Sequence, residues 1–127
     1  MDDSPASMRG LRTVIYGVPD ITRAKEWYAK AFGTEPYFDE PFYVGFNIGG
    51  FELGLHPDSP SGAGGTTAYW GVENAAEAVE RLSSLGATID SPPRDVGEGI
   101  KVATVLDPFG NQVGIIENPY FDLKAVR

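Results

Sequence analysis

The chain has a single histidine, His56, and no cysteine. Glu52 lies on the same strand-like stretch, Phe51–His56, and side chains on a strand alternate between faces. His56 and Glu52 therefore share one face. An imidazole and a carboxylate so placed could move a proton, with His56 as general base or hydrogen-bond donor. His56 also precedes Pro57 at a strand end, where an exposed imidazole need do nothing. On the strand Thr66–Val72 Tyr69 offers a ring for stacking, and Glu52 offers a counter-charge to a cation. Glu117 follows the last strand, but its parity sets it opposite Gly114. The missing cysteines exclude disulfides, thiolate metal sites and a cysteine nucleophile.

These residues must be positioned by elements that recur. Gly17-Val18-Pro19-Asp20 opens a helical pattern that closes at Phe32-Gly33, and Gly71-Val72-Glu73-Asn74 opens another that closes at Leu85-Gly86. Gly49-Gly50-Phe51-Glu52-Leu53-Gly54-Leu55 is echoed by Phe109-Gly110-Asn111-Gln112-Val113-Gly114-Ile115. Two tandem modules of roughly sixty residues follow, each too small to bury a core well, so the copies are expected to pack together with a binding site between them. The expected organisation is a flexible tail (1–9), a first module (10–57), a linker (58–65) rich in Pro, Ser and Gly, a second module (66–118) and a C-terminal tail (119–127).

Within each module the pattern reads strand, helix, strand, strand, strand. Asp20 is a plausible N-cap for a helix carrying Ile21, Ala24, Trp27, Tyr28, Ala31 and Phe32, and Gly33 is its stop. Asn74 with Glu77 forms a capping-box pattern before Ala75, Ala78, Val79, Leu82 and Leu85. Strands are expected at Leu11–Val18, Glu35–Phe38, Tyr43–Ile48, Phe51–His56, Thr66–Val72, Ala87–Ile89, Ile100–Leu106 and Gln112–Glu117. Ser91–Gly99 reads as a loop, and Asp107-Pro108-Phe109-Gly110-Asn111 as a turn. The fold class is α+β, with helices on one face of the sheet.

Alternation sorts the strand residues. Val14, Tyr16, Val18, Leu53, Leu55, Ala68, Trp70, Val72, Val113 and Ile115 form apolar sets expected to face the helices, together with Trp27 and Tyr28. The opposite faces are mixed: Leu11, Thr13, Ile15; Glu52, Gly54, His56; Thr67, Tyr69; Gln112, Gly114, Ile116. Such a face is either a ligand wall, a solvated surface or a partner interface.

A net charge of −8 argues against nucleic acid, whose phosphates require clustered cations, and suits solubility or a cationic ligand. No apolar run approaches the roughly 20 residues that span a bilayer, and the acidic start is unlike a signal peptide. The expectation is a cytoplasmic protein with no membrane association.

The duplication, the element order, the Asp107–Asn111 turn, the strand Thr13–Asp20 and the helix Asp20–Tyr28 together resemble the vicinal oxygen chelate superfamily, the group of glyoxalase I, extradiol dioxygenases and the fosfomycin- and bleomycin-resistance proteins. The resemblance covers roughly residues 10–118. It implies paired βαβββ modules forming a cup-shaped mixed sheet, lined by the mixed faces, and a homodimer. It also implies divalent-metal ligands, usually His, Gln or Glu, at positions that fall here on Thr13, Gly54, Thr67 and Gly114. Glycine has no donor, and a neutral threonine hydroxyl is a poor substitute for imidazole or carboxylate. The sequence therefore reads as a ligand-deficient member with no metal and no cofactor, binding a small organic molecule through Thr13, Ile15, Glu52, Gly54, His56, Thr67, Tyr69, Gln112, Gly114 and Ile116. Two alternatives stand beside it. One is a glyoxalase-type lyase, isomerase or dioxygenase using non-standard ligands or metal-free acid–base chemistry from His56 and Glu52. The other is a non-catalytic structural or regulatory module.

Overall fold

In a computed structural model of the chain, residues 4–60 and 64–126 are described. Residues 1–3, 61–63 and 127, which fall in the expected tails and linker, lie outside them. The chain forms two compact units. Of the described residues, the first comprises 13–60, 64–67 and 122–126; the second comprises 4–12 and 68–121.

The elements of the first unit are β1 (Leu11–Gly17, entering this unit at Thr13), α1 (Ile21–Phe32), β2 (Phe38–Glu40), β3 (Tyr43–Ile48) and β4 (Phe51–His56). The strands lie in the order β2-β3-β4-β1. Neighbours in β2-β3-β4 are antiparallel, and β1 pairs with β4 in parallel. The helix begins where Asp20 Oδ1 accepts the Arg23 amide at 3.1 Å and ends at Gly33, whose φ of +66° suits a residue without a side chain. Its stripe of Ile21, Ala24 and Tyr28 packs on Val44, Phe46, Leu53 and Leu55. Phe46 and Leu55 have no exposed surface.

In the second unit β5 (Thr66–Gly71, from Ala68 onward), α2 (Ala75–Ser84), β6 (Thr88–Gly97), β7 (Ile100–Leu106) and β8 (Gln112–Glu117) repeat the pattern, in the order β5-β8-β7-β6. Ala75, Ala78 and Val79 of α2 pack on Ala103, Val105, Ile115 and Val72. The α+β class and the twofold βαβββ order are those read from the sequence.

Two amides at the start of α2 have different side-chain partners. Asn74 Oδ1 accepts the Glu77 amide at 3.0 Å, while Glu117, arriving on β8, accepts the Ala75 amide at 2.9 Å. A carboxylate on a first-turn N–H also complements the helix dipole. Glu117→Ala is expected to lower unfolding stability by about 1–2 kcal/mol, while Glu117→Gln recovers part of this; chemical denaturation of the three proteins checks it.

Several expectations need correction. Ser91–Gly99 is not a loop: its residues 91–97 form most of β6, whose register slips between Ile89 and Ser91, between Ser91 and Arg94, and between Asp95 and Gly97. Pro92 and Pro93 cannot donate to a ladder, but β6 is an outer strand paired only with β7 and the slips absorb them. Glu98 and Gly99, both at positive φ, make the hairpin turn to β7. The segment from Ser4 to Arg9 does not behave as a free tail. Ala6 is buried in the core of the second unit, Asn74 N donates to Pro5 O at 3.0 Å, and Arg9 N donates to Gly71 O at 2.8 Å. Beyond Phe121, Leu123–Ala125 forms a single 3₁₀ turn, headed by Asp122, which accepts the Lys124 amide at 2.9 Å. Of the aromatics assigned to the helix–sheet seam Tyr16 and Tyr28 are there; Trp27 is 62% exposed and Trp70 39% exposed.

The Asp107–Asn111 turn is as expected and is built on one carboxylate. Asp107 Oδ1 accepts the amides of Phe109 and Asn111 at 2.8 Å each, and Oδ2 accepts Asn111 Nδ2 at 3.0 Å. Hydrogen bonds from the Asn111 side chain and amide hold the Asp107 pKa below its ordinary value of 3.8. A depressed carboxylate stabilises the fold above its unfolded-state pKa and loses that contribution as pH falls through the folded-state value. The melting-temperature gap between wild type and Asp107→Asn is expected to be present at pH 7 and to close as pH falls below about 4.

Candidate functional site

Register places the first unit's candidates on the helix-free face of its sheet. Thr13 pairs with Glu52, Ile15 with Gly54, and Gly17 with His56 along β1 and β4. Gly45 pairs with Gly54 and Asn47 with Glu52 along β3 and β4, so Tyr43 and Gly45 join the same face.

Glu52 is the polar centre of this face. Its Oε1 accepts the hydroxyl of Thr13 at 3.2 Å, and its Oε2 accepts the hydroxyl of Tyr37. Thr13 is buried, at 5% exposure. Tyr37 as a residue is 64% exposed, and its hydroxyl donates to Glu52. Burial of that hydroxyl, then the hydrogen bond and charge of Glu52, push the Tyr37 pKa above the ordinary phenol range. Gly45 leaves room for this pair, since a Cβ there would meet Glu52 Oε2 at 2.8 Å.

Beside the polar centre runs a series of rings. Phe38 lies 6.0 Å from Phe42 and 6.1 Å from Tyr43, and Tyr43 lies 6.5 Å from His56. The Tyr43 ring covers Gly54: a Cβ at residue 54 would come within 2.6 Å of Tyr43 Cζ and closer still to the hydroxyl. The space into which a side chain at position 54 would project is filled by this tyrosine. His56 Nδ1 accepts the Asp58 amide at 3.1 Å, so this nitrogen is engaged in a local turn rather than aimed at Glu52.

The second unit has a parallel arrangement. Tyr69 pairs with Gly114, and its ring covers that glycine, where a Cβ would meet Tyr69 Cδ1 at 2.6 Å and the Ala68 carbonyl oxygen at 2.7 Å. Burial raises the Tyr69 pKa, partly offset by Arg94. Asp90 Oδ2 gathers Thr104 Oγ1 at 2.9 Å and Gln112 Nε2 at 3.0 Å. Ile116 is 8% exposed. Thr67, half-buried, lies on β5 in the part that belongs to the first unit.

The structure puts Thr13, Glu52 and Gly54 on one face beside Tyr37, Tyr43 and Gly45, which sequence reasoning did not single out. The alternation of β3, with Val44, Phe46 and Ile48 apolar, leaves Tyr43 and Gly45 opposite them, and that signal was there to be read. Tyr37 falls in the strand expected at Glu35–Phe38, but the strand forms at Phe38–Glu40 and Tyr37 precedes it, so its expected parity was no guide. Two recesses of about 200 and 380 Å³ in the first unit do not coincide with this face. One is lined by Ile21, Thr22, Lys25, Asp39, Glu40, Pro41 and Val44, the other by Tyr16, Gly17, Val18, Tyr28, Gly65 and Thr66. Among the described residues no group of three or more His, Asp or Glu side chains is placed to hold a metal ion. Nor is any helix among them long and apolar enough to cross a membrane.

Residues 10–115 match the family model of the Glyoxalase/Bleomycin resistance protein/Dioxygenase superfamily. No curated protein matches the chain. Among solved structures, methylmalonyl-CoA epimerase from Mycobacterium tuberculosis is similar at 18% identity and a TM-score of 0.67, with 91% of each chain covered. A glyoxalase/bleomycin resistance protein/dioxygenase superfamily member from Vibrio splendidus 12B01 is 18% identical, with a TM-score of 0.64 over 84% of this chain and 97% of that one. The Mn(II)-bound glyoxalase from Novosphingobium aromaticivorans is 18% identical over 86% of this chain but only 38% of its own, with a TM-score of 0.66. At these identities the structural likeness speaks for the fold.

Proposed function

Since the chain belongs to the glyoxalase/bleomycin resistance/dioxygenase superfamily, and since tyrosine rings cover the glycines at two of its expected ligand positions, we propose that it binds a small organic molecule without a metal. The observation that carries this reading is the pair Gly54–Tyr43 and Gly114–Tyr69. Neither glycine supplies a donor, and in each case an aromatic ring takes the volume a ligating side chain would need. With Thr13 the remaining donor on the first strand, the residues do not fit a divalent ion of the zinc or manganese type.

The face that is left suits an organic ligand. Phe38, Tyr43 and His56 provide a ring-lined wall, and Glu52 provides an oriented carboxylate beside it. Rings and a carboxylate together favour a planar or cationic group. The two hydroxyls on Glu52 hold the carboxylate in place before a ligand arrives, which reduces the ordering cost of binding. In solution the protein is proposed to be a homodimer in the cytoplasm.

An enzymatic reading has one observation in its favour: Glu52 is hydrogen-bonded to Tyr37, so a proton donor and a proton acceptor already touch. In that reading Tyr37 takes the place that sequence reasoning gave to His56.

Native mass spectrometry of protein purified without added metal or chelator separates these readings. A dimer free of metal, bare or carrying an organic mass, with no thermal stabilisation by Mn²⁺, Ni²⁺ or Zn²⁺, supports the binding reading. One divalent ion per chain, lost together with a measurable turnover on chelation, overturns it. In a thermal-shift panel of aromatic amines, any stabilisation is expected to fall in Glu52→Gln.

A further inference from the structure

Arg12 has no acidic partner among the described residues, and the second unit is shaped around it. Its Cζ sits 3.8 Å from the centroid of the Phe121 ring. The same guanidinium crosses Gly71, where a Cβ would meet Nε at 2.5 Å and Cζ at 2.9 Å. On its other flank a Cβ at Gly10 would meet Nη1 at 3.2 Å. The backbone alongside is a short ladder, with Arg9 N donating to Gly71 O at 2.8 Å and Gly71 N donating to Gly10 O at 2.9 Å. The guanidinium is therefore stacked and walled rather than loose in solvent.

Its hydrogen bonding is sparse. Among the described residues its one acceptor is Leu11 O, 3.5 Å from Nη1, at the outer limit of a hydrogen bond. A guanidinium carries five N–H donors. The nearby carboxylate of Glu73 is paired with Arg9, the neighbouring cation, at 3.2 Å. Burial, and then the charge of Arg9, lower the Arg12 pKa. A partly buried cation with donors to spare, beside a second cation, is an electrostatic arrangement that an anion completes.

We propose that Arg12 anchors an oxyanion-binding site on the second unit, taking the carboxylate or phosphate group of a small molecule through its unused N–H donors, with Phe121 holding the guanidinium plane. The proposal does not depend on the function assigned to the Glu52 face. Stacking on Phe121 and contact with Gly71 fix the orientation of the plane, which is what two-pronged recognition of an oxyanion requires.

The test is an NMR titration of the full chain, following the Arg12 Nε–Hε resonance, with sodium acetate, inorganic phosphate and sodium chloride at matched ionic strength. The expected result is a saturable shift with acetate or phosphate, with a midpoint on the order of millimolar, and none with chloride. Tighter acetate binding assigns the site to carboxylates, tighter phosphate binding to phosphates. Arg12→Lys keeps the charge but loses the planar fork, and is expected to weaken binding about tenfold by thermal shift. Shifts that track ionic strength alone, or do not saturate, overturn the proposal. The wild-type titration decides this even if Arg12→Lys fails to fold.

Discussion

Gly54→Ala is expected to destabilise the protein by about 2–3 kcal/mol, as overpacking of a filled site does. The new methyl group would sit within 2.6 Å of Tyr43 Cζ and closer to its hydroxyl. Gly54 lies in β4, hydrogen-bonded to β1 on one side and β3 on the other, so the strand has little freedom to withdraw. Tyr43 must swing out instead, breaking its ring contacts with Phe38 and His56. The decisive measurement is a double-mutant cycle by urea denaturation. Tyr43→Ala has its own cost, but in its background Gly54→Ala should cost less than about 0.5 kcal/mol, leaving a coupling near 2 kcal/mol. Additive losses would mean that the ring does not occupy this space in solution. The same cycle bears on the metal question: a donor introduced at residue 54 has no room until Tyr43 is removed.

The second large effect is expected from Gly17→Ala, at about 3 kcal/mol or more. Gly17 closes β1 opposite His56, and its amide donates to Gly65 O at 3.0 Å. A Cβ there would meet Ser59 O at 2.5 Å and the Pro60 carbonyl carbon at 2.6 Å, with the Pro60 oxygen nearer. These are backbone atoms, which cannot rotate aside as a side chain does. The melting temperature should drop by about 10 °C, at roughly 3–4 °C per kcal/mol for a chain of this size. The drop should shrink if residues 59–60 are replaced by a longer, flexible glycine-serine segment. A loss that persists in the relaxed variant would place the strain elsewhere.

What could be read in advance follows from which signals are local. Both helices carry their own punctuation: Asp20 and Asn74 at the start, Gly33 and Gly86 at or beyond the end, with an apolar stripe between. Their positions were legible because each residue states its role within one or two turns. β3 and β4 were equally clear because Gly49-Gly50 separates two alternating runs. β6 was not. Its two adjacent prolines are a loop signal by composition, and only its place beside β7 alone, with register slips, makes them tolerable in a strand.

The candidate site was legible by parity but not by contact. Thr13, Glu52 and Gly54 could be put on one face from alternation alone. That Glu52 would be held by Tyr37 could not, since the strand expected at Glu35–Phe38 forms at Phe38–Glu40 and leaves Tyr37 just before it. Nor could Gly54 and Gly114 be seen as covered, because a glycine in a sequence does not say what fills the space beside it. Arg12 was overlooked for a similar reason. It read as one more strand residue next to Thr13, and its stacking depends on Phe121, far along the chain.

The division of the sequence between the two units bears on synthesis. Residues 4–12 belong with 68–121, and residues 122–126 belong with the described residues of 13–67. Ala125 and Val126 come to lie against Gly50, where a Cβ would meet Val126 Cα at 2.7 Å. During translation the first βαβββ body is therefore made long before the short segment that finishes it, while the Ser4–Arg9 segment is made long before the body that receives it. Each body waits for a distant part of the polypeptide, which raises contact order and slows closure. A nascent chain halted after residue 67 should accordingly be more protease-sensitive over 13–60 than the same residues in the complete chain, and supplying residues 119–127 as a peptide should restore part of the protection.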